Sequence, residues 1–438
     1  MTKDKALARS LIAMICAVQG CSWTRFDDVT DHPPVELLET PDGIAALGLS
    51  MATFPTALGT TLAVAGTDHL VTYELGTGAD PSRTAASSQS CAGDSSCIFA
   101  RHLAGLKDQP SFSPKGCVAY GLGTAPGQTF GKLWLYCEGG QRHSLDLSTT
   151  PTEWLATGVV DAQTVVEIAT TQHGEFQPLV ASLPDAAAIW FYDGTSMTPI
   201  ELPSLPDNQV AGRALAIIPY NSEFVIAASS VSTPNEVWLY RIDVKASVTL
   251  IGRIQGPPEF GRLLATGQFD ADAIDDLIVA DATEVHIIAG SSFVALPDNI
   301  APPVTTFDKS TAIANVSCST LTDLNGCSGQ VFASAVAAAN LDGVGSDELV
   351  VGAADTVVRG ENAAGAVFVY AQENGNLVAK DGLFVSSASA GDRLGSSLAI
   401  APVASVDAIV AGAPGANSVM AFYCNSLMPA ASKSARCP

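Results

Sequence analysis

The sequence predicts an all-β chain assembled from seven similar sheet units, and three observations carry that prediction. An apolar strand ending near an aromatic residue recurs as Leu70-Val71-Thr72-Tyr73, Leu133-Trp134-Leu135-Tyr136, Ile189-Trp190-Phe191-Tyr192, Val237-Trp238-Leu239-Tyr240, Val285-His286-Ile287-Ile288, Val367-Phe368-Val369-Tyr370 and Val419-Met420-Ala421-Phe422. Before each lies a second strand rich in Val, Ile and Ala, joined to the first by Gly, Asn, Asp or Pro, the composition of hairpin turns. No helical period of useful length follows the N-terminal segment. The recurring pattern returns every 48 to 82 residues. Four-stranded units of that size suit a seven-bladed β-propeller, whereas a solenoid has shorter and more regular periods.

Taken in order, the chain begins with cationic Lys3, Lys5 and Arg9, then an apolar run from Leu11 to Val18, then Gln19-Gly20-Cys21. This is the pattern of a secretory signal, and the run is shorter than the ~20 apolar residues a spanning helix needs. The small residue directly before a cysteine resembles the lipobox of bacterial lipoproteins. That resemblance implies a signal peptide over residues 1–20, cut after Gly20, with Cys21 as the lipid site. It also implies a place in the cell envelope as an outer-membrane lipoprotein, held to the membrane by more than one acyl chain, which makes a stable anchor. Residues 21–42, acidic and containing His32-Pro33-Pro34, read as a tether that also lends a closing strand around Val35 to Leu38.

Residues 43–424 form the propeller. The second strands of its seven units run over Thr61 to Ala65, Cys117 to Tyr120, Leu179 to Ala181, Phe224 to Ala227, Leu277 to Ala280, Leu349 to Gly352 and Ile409 to Gly412. A further strand lies upstream in several copies, at Gly212 to Ala216, Gly261 to Ala265 and Gly395 to Ala399. Trp134, Trp190 and Trp238 share one position in the repeat and read as core; His286 takes the place of an aromatic residue and reads as a packed histidine. The Ser/Ala/Gly-rich stretch 77–96 and residues 296–330 read as long loops, and residues 425–438 as a tail.

Apart from Cys16 and Cys21, eight cysteines fall into four neighbouring couples: Cys91 with Cys97, Cys117 with Cys137, Cys318 with Cys327, and Cys424 with Cys437. In an oxidising envelope these read as local disulfides, although eight cysteines allow about 105 connectivities. No couple is C-x-x-C and none has histidine at zinc spacing. The net charge is −23, and loss of Lys3, Asp4, Lys5 and Arg9 with the signal leaves −25. So acidic a surface repels nucleic-acid backbones and suits divalent cations or basic surfaces.

Two segments carry a closer resemblance. Phe260-Gly261, the loop Gln268-Phe269-Asp270-Ala271-Asp272-Ala273-Ile274-Asp275-Asp276 and the strand Leu277-Ile278-Val279-Ala280 form one. Phe332-Ala333, the loop Asn340-Leu341-Asp342-Gly343-Val344-Gly345-Ser346-Asp347-Glu348 and Leu349-Val350-Val351-Gly352-Ala353-Ala354 form the other. In both, phenylalanine precedes the leucine of the second strand by 17 residues. These segments resemble FG-GAP repeats, the blade units of integrin α-subunits. The seventh unit keeps Leu394-Gly395 and Gly412-Ala413-Pro414 but only Asp407 of the acidic loop, and the fourth has no acidic loop.

The resemblance implies Ca²⁺ in the acidic loops, because a hard cation takes about six to eight oxygens and a tight acidic loop can supply them. The ligands would be Gln268, Asp270, Asp272 and Asp276 with the Ile274 carbonyl, and, more weakly, Asn340, Asp342 and Glu348, since Val344 offers no side-chain oxygen. Ala273 stands where the family has glycine, which implies strain if the turn keeps a positive φ. A solvated acidic turn without metal is the competing reading.

No G-x-S-x-G turn, H-E-x-x-H helix or G-x-x-x-x-G-K-[ST] loop is present. The reading is a lipid-anchored binding or scaffold propeller for a protein or glycan. The alternative is a propeller hydrolase, which three or more acidic, His or Tyr side chains at one mouth of the channel would favour.

Overall fold

A computed structural model of the chain describes residues 35–56, 59–67, 69–76, 87–90, 99–106, 116–122, 132–137, 141–145, 167–170, 178–183, 188–192, 197–200, 211–221, 223–230, 235–243, 247–270, 272–294, 304–317, 332–343, 345–373, 375–385, 387–403 and 406–423. The protein is all-β. Among the described residues the strands form seven sheets, antiparallel apart from one pairing.

The sheets follow one another along the chain. The first comprises Ser50–Thr56, Gly59–Ala65, His69–Gly76 and Ser87–Ser90; the second, Phe99–Leu106, Cys117–Leu122, Lys132–Cys137 and Gln141–Leu145. The third comprises Glu167–Thr170, Leu179–Leu183, Ala188–Tyr192 and Met197–Ile200. The fourth comprises Ala211–Tyr220, Glu223–Ser230, Glu236–Ile242 and Val248–Gln255, to which Val304–Thr306 adds a parallel fifth strand. The fifth comprises Leu263–Gly267, Asp276–Ala280, Glu284–Ile288 and Ala314–Ser317; the sixth, Ala335–Ala339, Glu348–Ala353, Ala366–Glu373 and Asn376–Leu383. The seventh joins Leu398–Val403, Val406–Ala413 and Ser418–Tyr423 to Val35–Leu38 from the other end of the chain. All seven recurrences of the aromatic-ended pattern fall on third strands, and all seven Val/Ile/Ala-rich segments on second strands.

Successive sheets pack through their first strands. Ser50–Thr56 touches Phe99–Leu106, and the contacts continue through Glu167–Thr170, Ala211–Tyr220, Leu263–Gly267, Ala335–Ala339 and Leu398–Val403, which touches Ser50–Thr56 again. Second strands are apolar through their centres, where both faces are covered, and carry polar residues such as Glu223, Asp276, Glu348 and Asp407 at or near their ends. In Glu348–Ala353, Leu349 and Val351 pack toward the fifth sheet while Val350 packs against Ile409, Ala411 and Phe422 of the seventh, the alternation that a strand imposes on its side chains.

The entry to the first strands repeats one device. The N–H groups of Gly48 and Leu49 both donate to Ala65 O, those of Gly261 and Arg262 to Ala280 O, and those of Gly395 and Ser396 to Gly412 O. This needs φ of +95°, +86° and +85° at Gly48, Gly261 and Gly395, which glycine adopts without cost. The carbonyl of the entering residue then accepts from the preceding sheet: Gly212 O from Ser182 Oγ (2.5 Å), Gly395 O from Ser334 Oγ (2.8 Å), Gly48 O from Ser397 Oγ (2.6 Å), and Ala333 O from the Arg262 guanidinium.

Two expected loops contain strands. Ser87–Ser90 lies within 77–96, and Val304–Thr306 and Ala314–Ser317 lie within 296–330. Ser87–Ser90 is an outer strand of polar residues, and in the 304–317 segment Phe307, Ala314 and Val316 supply the packing surface between hydrophilic neighbours. The chain enters the seventh sheet at Val35, inside the segment expected as tether and at the place expected for a closing strand.

Candidate metal centre

The two acidic loops join the first and second strands of the fifth and sixth sheets. In the fifth, Asp272 N–H donates to Asp270 Oδ1 (2.8 Å), and Ile274 N–H donates to Asp272 Oδ1 (2.7 Å). These are the local side-chain to backbone bonds that aspartate makes in turns. Gln268 Nε2 donates to Asp272 O (2.6 Å), while Gln268 Oε1 is buried with no hydrogen-bond partner. Asp276, wholly buried, accepts from Phe269 N (2.9 Å) through Oδ2 and from Gly290 N (3.0 Å) through Oδ1. Burial, outweighing those two N–H groups and joined by the nearby charges of Asp270 and Asp272, pushes its carboxyl up to about 6.

The sixth loop repeats part of this arrangement. Glu348 Oε2 accepts from Leu341 N (2.7 Å), as Asp276 does from Phe269 N at the same loop position. Burial pushes Glu348 up to about 7 against that bond, with Asp342 and Asp347 adding to the rise. Asn340 Nδ2 donates to Gly345 O (3.2 Å), and Asn340 Oδ1 is buried without a partner, like the oxygen of Gln268 one sheet earlier. The loops are tied together: Asp347 Oδ2 accepts from Gln268 N (2.8 Å), and Asp347 N–H donates to Gln268 O (2.7 Å).

The donor chemistry of the fifth loop suits a hard cation, and the unpaired Gln268 oxygen is the atom such an ion would satisfy. The carboxylates are not gathered, however: oxygens of Asp270, Asp272 and Asp276 do not all come within 4.8 Å of one another. In the sixth loop Asp342 and Glu348 are the only carboxylates of the expected set, and Val344 lies outside the described residues. Ala273 adopts no positive φ, so the strain expected there is absent, whereas its counterpart Gly345 sits at +77°. Among the described residues of the fifth loop none has a positive φ.

A cluster that sequence reasoning missed lies in the second hairpin of the fifth sheet. His286 is fully buried, with Nε2 3.0 Å from Asp281 Oδ2 and Nδ1 2.7 Å from Asn315 Oδ1. Asp281 Oδ1 accepts from the N–H groups of Thr283 (2.6 Å) and Glu284 (2.8 Å) and from Thr283 Oγ1 (3.0 Å). Burial would raise Asp281, but the bonds from His286 and the two N–H groups outweigh it and bring the carboxyl down to about 2. Glu284 pairs with Lys309. Asp281, Glu284 and His286 can bring ligand atoms within 4.8 Å; Asp281 and His286 are buried and hydrogen-bonded, whereas Glu284 is partly exposed and paired with Lys309 at the surface. The tight Asp-Ala-Thr-Glu turn was visible in the sequence; nothing pointed to Asn315.

Near this hairpin Arg213 pairs with Glu259 (2.9 Å) and Arg393 with Asp355 (3.0 Å), each partly exposed. Arg262 lies within electrostatic reach of Arg213, Glu259, Asp281 and Asp355. Trp238 is fully buried as expected of core; the side chains of Trp134 and Trp190 lie outside the described residues.

Cys117 and Cys137 face each other as Cα partners in adjacent antiparallel strands. Directly opposed residues in such a ladder are about 4.5–5.5 Å apart, within the span a disulfide bridges. Cys21, Cys91, Cys97, Cys318, Cys327, Cys424 and Cys437 lie outside the described residues, as do residues 1–34 and 424–438. No helix of the described residues is long and apolar enough to cross a membrane.

The chain matches no protein-family model and no curated protein. Among solved structures it is similar to a chain in a crystal structure of the Mitotic Checkpoint Complex, at 11% identity and a TM-score of 0.49, over 89% of this chain and 93% of that one.

Proposed function

We propose that this chain is a seven-bladed β-propeller of FG-GAP type that serves as a lipid-anchored binding or scaffold module of the cell envelope, presenting loops to a protein or glycan. The observation that carries it is the unbroken succession of sheets, each touching the next through its first strand, with Val35–Leu38 completing the seventh. A propeller closes its circle in this way and leaves only short protected edges. Binding is favoured over hydrolysis because the buried Asp281–His286 pair is committed to internal hydrogen bonds, where a hydrolase needs a general acid or base facing substrate.

Anchoring rests on Cys21 and its lipobox, and Ca²⁺ on the fifth loop. There Gln268, Asp270, Asp272, Asp276 and the Ile274 carbonyl would hold the ion, the orphaned Gln268 oxygen being the structural support. Drawing the carboxylates together around the ion would stiffen the loop. Through the reciprocal Gln268–Asp347 bonds it would also stiffen the sixth loop.

The test is membrane fractionation of wild type and Cys21→Ser, combined with glycan- and peptide-array binding of each form with and without Ca²⁺. The expected result is release of Cys21→Ser into the soluble fraction with ligand binding retained, and a melting temperature that a chelator lowers in wild type but not in Asp272→Ala. Membrane pelleting unchanged by Cys21→Ser overturns the anchor, and turnover of an array ligand overturns the binding role. Indifference to chelator leaves the loop as a metal-free acidic turn.

A further inference from the structure

We propose that His286 is a buried, doubly protonated clasp whose protonation holds the segment 304–317 in place across the fourth and fifth sheets. The argument begins with what faces each ring nitrogen. Nε2 lies 3.0 Å from a carboxylate oxygen of Asp281, and a carboxylate only accepts. Nδ1 lies 2.7 Å from the Asn315 side chain. The orientation of that amide is set by its other end, where Nδ2 donates to Lys309 O at 3.2 Å, leaving Oδ1 toward the ring. A ring with acceptors on both sides needs a proton on each nitrogen, so the imidazolium is the form that completes this network.

The surroundings suit a cation. Asp281 supplies the opposite charge, with its own oxygens held by Thr283 and Glu284. Glu284 Oε2 lies 3.9 Å from Nδ1 and is itself paired with Lys309. The rings of Phe307 and Phe260 pack tilted beside the imidazole, with centroids 4.8 and 6.0 Å away. Facing the ring are therefore one carboxylate from its hairpin, one from its own strand with that carboxylate's lysine partner, the Asn315 amide and two aromatic rings. A buried charge is costly unless it is paired and fully hydrogen-bonded; here both conditions are met.

Loss of one ring proton leaves Nδ1 or Nε2 facing an oxygen with nothing between them. Turning the Asn315 amide would repair the Nδ1 contact, but it would point Oδ1 at Lys309 O and break the bond between the fourth strand and the preceding turn. That turn, Lys309–Thr311, and Phe307 join Val304–Thr306 on the fourth sheet to Ala314–Ser317 on the fifth. Deprotonation therefore loosens a segment that is hydrogen-bonded to both sheets.

The experiment is amide hydrogen exchange of the full chain across pH, corrected for intrinsic exchange, with Ala366–Glu373 as internal reference and the His286 ring followed by NMR in parallel. Protection of residues 304–317 should fall by about tenfold per pH unit once the ring begins to lose its second proton, while the reference holds. His286→Phe should abolish that dependence. Should that variant not fold, Asn315→Leu, which keeps the Asp281 contact, should shift the loss of protection to lower pH. Protection of 304–317 that ignores the ring's titration, a dependence that survives in His286→Phe, or a transition unmoved by Asn315→Leu overturns the proposal.

Discussion

Asp281 gathers four hydrogen bonds on one buried carboxylate, so its charge is neutralised by geometry instead of by water. Removing it orphans His286 and two backbone N–H groups at once. Asp281→Ala should therefore cost about 3–5 kcal/mol, the range for breaking a buried pair, measured by urea denaturation at neutral pH. Because this carboxyl is held down to about 2, its contribution is complete above the ordinary aspartate range and is lost as pH falls through that value. Acid unfolding of wild type should thus show a stability loss between about pH 4 and 2 that Asp281→Ala lacks. At this scale the sequence was half legible. His286 could be read as packed because it occupies an aromatic place in a repeat, but its partner Asn315 arrives 29 residues later through a segment with no strand period. Ala273 failed the other way, since a glycine-free turn closed by two aspartates has no signature beyond the aspartates.

Second and third strands were the most legible elements, because burial on both faces favours runs of Val, Ile, Leu, Ala and aromatic residues that recur from sheet to sheet. Outer strands were the least legible. Ser87–Ser90 has no apolar residue, and Ala314–Ser317 alternates buried Ala314 and Val316 with Asn315, too short a pattern to stand out in a Ser/Thr-rich stretch. The second sheet carries a prediction at this scale. Cys117 and Cys137 sit opposite one another in its ladder, so a bond between them would staple the hairpin without bending either strand. Non-reducing peptide mapping should recover that link, and Cys117→Ser with Cys137→Ser should lower stability by about 3 kcal/mol, as expected for a closed loop of this length. Free thiols at both positions in protein taken from an oxidising compartment would refute the pairing.

For the whole molecule the decisive place is the junction of the seventh and first sheets, where residues nearly a chain length apart must meet. Asn417 accepts from Leu47 N (2.8 Å) and donates to Ile44 O (2.7 Å), and Thr53 Oγ1 donates to Ile400 O (2.9 Å). Leu38, 1% exposed, pairs with Val419 and packs in the cluster that joins Leu62, Val64 and Val71 to Val410 and Val419. If this seam closes a ring, every sheet depends on it, because opening one junction exposes two sheet faces and frees the others to splay. Leu38→Asp puts a charge among apolar side chains and should cost at least about 3 kcal/mol. In a closed ring that loss lowers a single unfolding transition shared by all sheets, so exchange protection falls in Glu223–Ser230 as well as in Ser418–Tyr423. If Val35–Leu38 merely decorates an open array of sheets, protection falls in the seventh sheet alone and the fourth keeps its own transition. The substitution therefore separates a propeller from a row of stacked sheets by where, along the chain, its cost is felt.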